Sequence, residues 1–540
     1  MINVYSENGM MKKAWDIFDD IPCRDVVTWN SMMSSCVKHG RHHDALCLFW
    51  SMHHDGISYN DITFVNALDA CSLDRDCEHH HYHGIRKGYE IHGFASCLGF
   101  DDDVMVGNAL ITFYGIKYGD VYGASWVFSH MPQRDVVSWT SMMSSYTRSG
   151  DGEESLHLFY LMHCNTGMKP DKVAYICALD ACANVFALDD GRVIHALIGE
   201  NLVADLGVVL STALVNMYGE CDRIDDSKYV FSRMSKRNIV CWTAMLSAFS
   251  KNGHGREALQ LFYRMKTDGI DPNNITFAFA IDACTIVLSL SEGQKIHGDI
   301  VKKGHEKDTA VSTSLVNLYG NCHCMNEARF IFYQMQEKSV VSWSNMITTC
   351  TQNGSPKEAL NIFHGMQECG VKPNVITFIC LMDACSSLTS LHDGRAIDMC
   401  IDESGLGGDV MLGNALMSMY GKCGSFQDAE RVFHRLSDQT VVSWTALVSS
   451  FAQSGHGADA LAYLHQMMLE GIIPDSIVLT SVLSACSHSG LIDEAKCILC
   501  ETMNGDCVSQ TMDHFFCMVD ILARPGQLDE AETLLWKIPF

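Results

Sequence analysis

Residues 340–374 read VVSWSNMITTCTQNGSPKEALNIFHGMQECGVKPN. Trp343, Met346 and Ile347 fall at i, i+3, i+4, the spacing that lines side chains along one face of a helix. Gly354-Ser355-Pro356 interrupts the pattern, and Ala359, Leu360, Ile362, Phe363 and Met366 carry a second helical stripe. The segment closes on Gly370-Val371-Lys372-Pro373-Asn374, a Gly/Pro stop. It is a predicted helix–turn–helix whose apolar face one hairpin alone cannot bury.

Its opening recurs. A β-branched pair, a small residue and Trp stand at Val26-Val27-Thr28-Trp29, Val136-Val137-Ser138-Trp139, Ile239-Val240-Cys241-Trp242, Val340-Val341-Ser342-Trp343 and Val441-Val442-Ser443-Trp444, at intervals of 110, 103, 101 and 101 residues. Cys71, Cys182, Cys284, Cys385 and Cys486, in Asp-Ala-Cys or its variant, follow at intervals of 111, 102, 101 and 101. A third ladder joins Asn414-Ala415-Leu416 to Tyr420-Gly421 and its counterparts. One shared period of about 101 residues divides into three hairpins of about 35, 35 and 31 residues. Pro170, Pro272, Pro373 and Pro474 end equivalent units, and no Pro interrupts a predicted helix. The expected fold is all-α, an α-solenoid of stacked helix–turn–helix units with a concave surface.

Composition agrees. The chain has 540 residues without a Pro/Gly/Ser-rich linker, 47% hydrophobic and 19% charged, which is globular usage. Asp+Glu number 64 against 38 Lys+Arg, a formal charge of −26, which argues against binding by bulk phosphate neutralisation or to an anionic membrane. The 25 Cys, without a signal peptide, read as reduced, buried thiols of an intracellular compartment. Met1-Ile2-Asn3-Val4-Tyr5 resembles neither a secretory signal nor a transit sequence. No apolar stretch reaches the roughly 18–20 residues a bilayer span needs, and Asp282 breaks the longest candidate. A soluble protein without a membrane partner is expected.

The period, the Val-Val-x-Trp opening and the Gly-x-x-Pro-Asp/Asn ending resemble pentatricopeptide repeat (PPR) proteins, specifically the subgroup of alternating P, L and S repeats, over nearly the whole chain. The resemblance implies a right-handed superhelix. P repeats are read at 26–60, 136–171, 239–273, 340–374 and 441–475, and L repeats at 61–103, 172–207, 274–308, 375–409 and 476–510. S repeats are read at 104–135, 208–238, 309–339 and 410–440, with a partial S repeat at 1–25 and a partial variant one at 511–540. The family further implies organellar single-stranded RNA as partner, in mitochondrion or chloroplast, one base per repeat. The fifth and last residues of each repeat read the base edge and neighbouring aliphatic residues sandwich it. Carried over, the P repeats give Asn30/Asn60 (cytosine), Thr140/Asp171 (guanine), Thr243/Asn273 (adenine), Ser344/Asn374 (adenine) and Thr445/Asp475 (guanine). The S repeats give Asn108/Asp135 (uracil), Thr212/Asn238 (adenine), Thr313/Ser339 (adenine) and Asn414/Thr440 (a pyrimidine). The L repeats place Val65, Ile176, Ala278, Ile379 and Thr480 at the fifth position and are left unread, four of the five being unable to hydrogen-bond a base. The implied site is 5′-C-n-U-G-n-A-A-n-(A)-A-n-(Y)-G-3′.

Sharper chemistry finds little support. His79, His80, His81 and His83, with Asp76 and Cys77, lie in an insertion of the L repeat at 61–103 and lack a tetrahedral spacing. Cys497-Ile498-Leu499-Cys500, with Cys507 downstream, is an isolated C-x-x-C on a predicted second helix and reads as buried packing, as does Cys322-His323-Cys324. His92, His195 and His297 recur at one register where Asp398 stands fourth, a repeat feature and not a ligand set. Many members of the subgroup carry a C-terminal cytidine deaminase domain, whose zinc site needs His-x-Glu; no His here is followed two residues on by Glu. No phosphate loop, nucleophile elbow or carboxylate pair stands out. The expectation is a non-enzymatic chain without cofactor, recognising sites for C-to-U RNA editing with a deaminase-bearing or other editing factor in trans. The alternatives are intron splicing, transcript stabilisation, or a peptide-binding scaffold like the tetratricopeptide arrays.

Overall fold

In the computed structural model, the quoted segment forms the helices Val340–Gln352 and Pro356–Glu368. The structure describes residues 1–540 except 73–77, 166, 202–206, 437, 505–511, 524–526, 529–530 and 533–540, and excepting also the side chains of 72, 78–83, 165, 200–201, 499–504, 512–513 and 515. Gly354 ends the first helix at φ +71°, a conformation that suits a residue without Cβ. The N–H groups of Gly354 and Ser355 return to the carbonyls of Thr351 and Cys350 at 3.2 and 2.8 Å. Pro356 then opens the second helix, where its missing N–H costs nothing. Trp343, Met346, Ile347, Ala359, Ile362, Phe363 and Met366 are buried, and Leu360 is half-buried.

Helical pairs of this kind repeat through two compact units, Met1–Pro272 and Asn273–Phe540. Among the described residues there is no strand, and no helix is long and apolar enough to cross a membrane. Each unit is an all-α solenoid. In the first, Lys172–Val185 packs on Gly207–Glu220; in the second, Val410–Lys422 packs on Val441–Gln453, so first helices stack on first helices.

The recurrent Trp is the centre of each joint. Phe18, Phe128, Phe231, Phe332 and Phe433, from the preceding second helices, meet Trp29, Trp139, Trp242, Trp343 and Trp444 edge-on, with ring centroids 4.7–5.1 Å apart. Arg24, Arg134 and Arg237 lie over the first three of those Phe rings. Their Nε groups also donate to the carbonyls of the same Phe residues at 2.9, 2.7 and 3.1 Å, closing the helix end.

Part of the irregularity in the intervals has a local solution. Segment 104–135 is one residue longer than 208–238, and its first helix passes into a π-helical turn at Thr112–Lys117. Segment 136–171 is one residue longer than 340–374, and its second helix ends in a π turn at Leu161–Asn165. In both places the extra residue is absorbed within a helix, and the apolar faces on either side keep their register.

Candidate nucleic-acid interface

A short polar residue directly before an apolar helix start is an N-cap. Each paired terminal residue has this role: the side chains of Asn60, Asp135, Asp171, Asn238, Asn273, Ser339, Asn374, Thr440 and Asp475 accept from the backbone N–H three residues on, at 2.8–3.3 Å. The cap fixes each terminal side chain at the mouth of the next first helix. Asp25, Asp103, Asp308 and Asp409 cap in the same way. Capping was not foreseen in the sequence reading, although an Asx or hydroxyl residue before a Val-Val pair signals it.

The fifth residues divide by chemistry. Asn30 donates Nδ2–H to Asn60 Oδ1 at 2.8 Å, and Asn108 donates to Asp135 Oδ1 at 3.1 Å. The Asn414 Oδ1 is buried without a partner. The hydroxyls of Thr212, Thr243, Thr313, Ser344 and Thr445 turn back to the carbonyl four residues earlier at 2.6–2.9 Å, and Thr140 to the carbonyl of Val137 at 3.1 Å. A hydroxyl so engaged presents lone pairs outward and serves as an acceptor. Thr445 also lies 3.4 Å from Asp475 Oδ2, whereas no hydrogen bond joins Thr140 to Asp171 or Asn414 to Thr440. Thr212 reaches Cys241, Thr313 reaches Ser342 and Ser344 reaches Thr377, in each case the third residue of the next segment, itself bonded to the cap. Thr243 belongs to the first unit and Asn273 to the second.

Three residues before each fifth position, on the same helix face, stands an uncovered aliphatic residue. Val27, Val137, Val240, Val341 and Val442 are 53–64% exposed, although the Trp two residues later is 7% exposed or less. Exposed valine at one register, beside a polar pair held by a cap, makes a row of apolar surfaces separated by hydrogen-bonding groups. Burial acts to raise the Asp135 carboxyl, and bonds from Ser138 and Asn108 outweigh it, holding it below the usual carboxylate range.

The other candidates resolve into structure. His92, His195 and His297 bond through Nδ1 to the hydroxyls of Tyr114, Tyr218 and Tyr319, each at 2.8 Å. Asp398 accepts from Tyr420 Oη at 2.8 Å and pairs with Arg431 and Arg435 at 3.3 and 3.0 Å. Trp126, Tyr229 and Phe330 stand where that segment has Arg431, so the acidic replacement brings its own cation. Among the described residues no group of three or more His, Cys, Asp or Glu could hold a metal ion. The His79–His83 insertion, Asp76, Cys77, Cys500 and Cys507 lie outside the described side chains. The Asp-Ala-Cys thiols are buried, and burial pushes Cys182, Cys284 and Cys385 up to about 12. Uniform burial of the cysteines does not hold: Cys23, Cys47, Cys97, Cys164, Cys369 and Cys497 are exposed, and Cys322 and Cys324 are half-buried. Cys497 lies on the outward side of an amphipathic helix, which spacing within a C-x-x-C does not reveal.

Fold and site together define a helical-hairpin repeat protein that sets polar pairs and exposed aliphatic residues at one register. Family models described as "PPR repeat family" match residues 24–72, 237–285 and 338–387, and "PPR repeat" matches 1–26, 137–165, 209–239, 311–340, 414–439, 442–472 and 477–505. The pentatricopeptide repeat-containing protein At5g27110 of Arabidopsis thaliana is 33% identical over 100% of this chain and 77% of its own length. At2g03380, named mitochondrial, is 32% identical over 100% and 77%, and At4g18520, named chloroplastic, 33% over 90% and 77%, both of the same plant. The chain belongs to the pentatricopeptide repeat family. Its fold is similar to the crystal structure of the pentatricopeptide repeat protein PPR10 from maize, with TM-score 0.63 and 18% identity over 99% of this chain and 82% of that one. PPR10 in complex with an 18-nt psaJ RNA element matches at TM-score 0.52 and 17% identity, over 99% and 88%.

Proposed function

We propose that this chain binds single-stranded RNA in an organelle in a sequence-specific manner, reading bases through the fifth and last residues of its P and S repeats. One observation carries the reading: the fifth side chain meets a capped terminal side chain directly in Asn30–Asn60, Asn108–Asp135 and Thr445–Asp475. The back-bonded hydroxyls of the Thr and Ser repeats suit the N–H groups of adenine and guanine, and the exposed valines suit the faces of splayed bases. The solved RNA complex of PPR10 and the organellar names of two relatives support the same partner and compartment.

The alternating long and short segments support membership of the P, L and S subgroup. Within organellar RNA processing, the role is site recognition for C-to-U editing, with the deaminase supplied in trans. The test is binding of the full chain to a labelled RNA of the sequence C-n-U-G-n-A-A-n-A-A-n-Y-G and to permuted controls. Each correctly read base is expected to contribute roughly 1–3 kcal/mol of discrimination. Equal affinity for site and permutation would sink the reading.

A further inference from the structure

Segment 274–308 has Ala278 at the fifth position and no side chain there to read a base. One turn earlier on the same face of the helix Asn274–Ile286 stands Asn274. Its Nδ2–H donates to Asp308 Oδ2 at 2.7 Å. Asp308 is the last residue of this segment and caps Thr309–Asn321, with Oδ1 accepting from the N–H groups of Ala310 and Val311 at 3.0 and 3.1 Å. This is the chemistry of Asn108 and Asp135, an amide given to a terminal carboxylate that also caps the next helix. Asn274 is half-buried, and Ile275 beside it is 48% exposed, at the register of the uncovered valines.

The arrangement is particular to this segment. The first residues of the other four long segments are Asp61, Lys172, Val375 and Ser476, and their last residues are Asp103, Gly207, Asp409 and Gln510. None of those pairs sets an amide against a carboxylate.

We infer that Asn274 and Asp308 together read a nucleotide in the segment whose fifth position cannot, and that they select a base with a ring N–H, uracil foremost. The inference rests on the RNA-binding reading above. A carboxylate only accepts, so the amide must point its NH2 at Asp308 and turn Oδ1 outward. An outward acceptor with one remaining N–H complements the N3–H and carbonyl of uracil, and less closely the N1–H edge of guanine. With Oδ1 placed opposite the ring nitrogen, cytosine and adenine would meet it with a lone pair; they complement an amide only when shifted to bring the exocyclic amine to Oδ1. Burial disfavours the charged Asp308, but the bonds from Asn274 and from the two backbone N–H groups outweigh it and hold the carboxyl below its usual range.

The experiment uses the full chain and four RNAs of the proposed sequence that differ only at the eighth nucleotide, plus one with adenine for guanine at the fourth. Uracil, then guanine, should bind more tightly than cytosine and adenine, uracil by about tenfold. Asn274→Ala should bring the four within about twofold and leave discrimination at the fourth nucleotide intact, which also shows that the variant is folded. Should the alanine variant not fold, Asn274→Ser, which removes the amide at a position that tolerates serine, gives the same readout. Equal binding of the four RNAs with discrimination kept at the fourth overturns this inference alone. So does a preference for cytosine or adenine, or one that survives the substitution. Loss of discrimination at the fourth nucleotide in the unaltered chain overturns the RNA-binding reading itself.

Discussion

Each terminal Asp, Asn, Ser or Thr holds the start of a helix and, in the proposed reading, also helps select a base, and a substitution that keeps one role and changes the other can separate them. Asp171 caps Lys172–Val185 through Oδ1, while Asn238 and Asn273 cap their helices at 3.1 and 2.9 Å with an amide oxygen. Asp171→Asn should therefore leave stability within about 0.5 kcal/mol, whereas Asp171→Ala should cost about 1 kcal/mol in denaturant unfolding. The asparagine variant should move the preference at the fourth nucleotide from guanine to adenine, read by anisotropy on the two RNAs. If it still prefers guanine, the terminal residue at this site is a cap and nothing more. The recurrence of polar residues at a fixed register was legible in the sequence, and their pairing came from the family resemblance. Their capping role and the back-turned hydroxyls were not legible, since both depend on backbone atoms that a pattern of side chains does not display.

Between elements, close approach and burial decide what the ladders mean. The Tyr-Gly pair is a contact device: a Cβ on Gly219 would lie 2.6 Å from the Ala248 Cβ of the neighbouring first helix. Gly298 is also helical but has nothing within 4 Å of that position. One substitution should thus have opposite signs at the two sites. Gly298→Ala should stabilise by about 0.5–1 kcal/mol, and Gly219→Ala should destabilise by about 1–3 kcal/mol, measured by urea unfolding. Stabilisation at both would mean that the helices part freely. The His–Tyr bonds make a second prediction. Burial lowers His92, His195 and His297 below their ordinary value, against the opposing charges of Asp101, Asp226 and Glu306. The folded chain keeps these rings neutral where the unfolded chain, titrating near about 6.5, takes up protons. Their contribution is complete above about pH 6.5 and is lost as pH falls below it toward the folded-state values. The unfolding midpoint should drop between about pH 7.5 and 5.5, and His195→Gln should shallow that drop. An unchanged slope in the variant would assign the pH dependence elsewhere. Spacing alone marked these histidines as a repeat feature; their tyrosine partners, on the following helix, became visible only with packing.

For the molecule as a whole, the period of about 101 residues was sufficient to read an all-α repeat fold, because no segment can bury its stripe without a neighbour. It located the insertion within 61–103 but not where segments 104–135 and 136–171 each take up one further residue, since a helix can absorb one as a π turn without any Gly or Pro to announce it. The charge of −26 bears on binding in the same global way. Several of the 38 cations are committed to carboxylates: Arg329 to Glu358, Lys251 to Glu220, Arg395 to Asp428, and Arg431 and Arg435 to Asp398. With 64 acidic side chains against those cations the net field does not draw phosphates in, so affinity must come mainly from base edges and stacked faces. The logarithm of affinity against the logarithm of salt should then fall with a slope no steeper than about −2 between about 50 and 200 mM, corresponding to roughly three phosphate contacts on a single strand. Discrimination between the proposed site and its permutation should persist across that range, because hydrogen bonds to base edges release no counterions. A steep slope shared by both RNAs would show a chain that holds the backbone and ignores the bases. The polar pairs would then be helix caps with neighbours and not a reading frame.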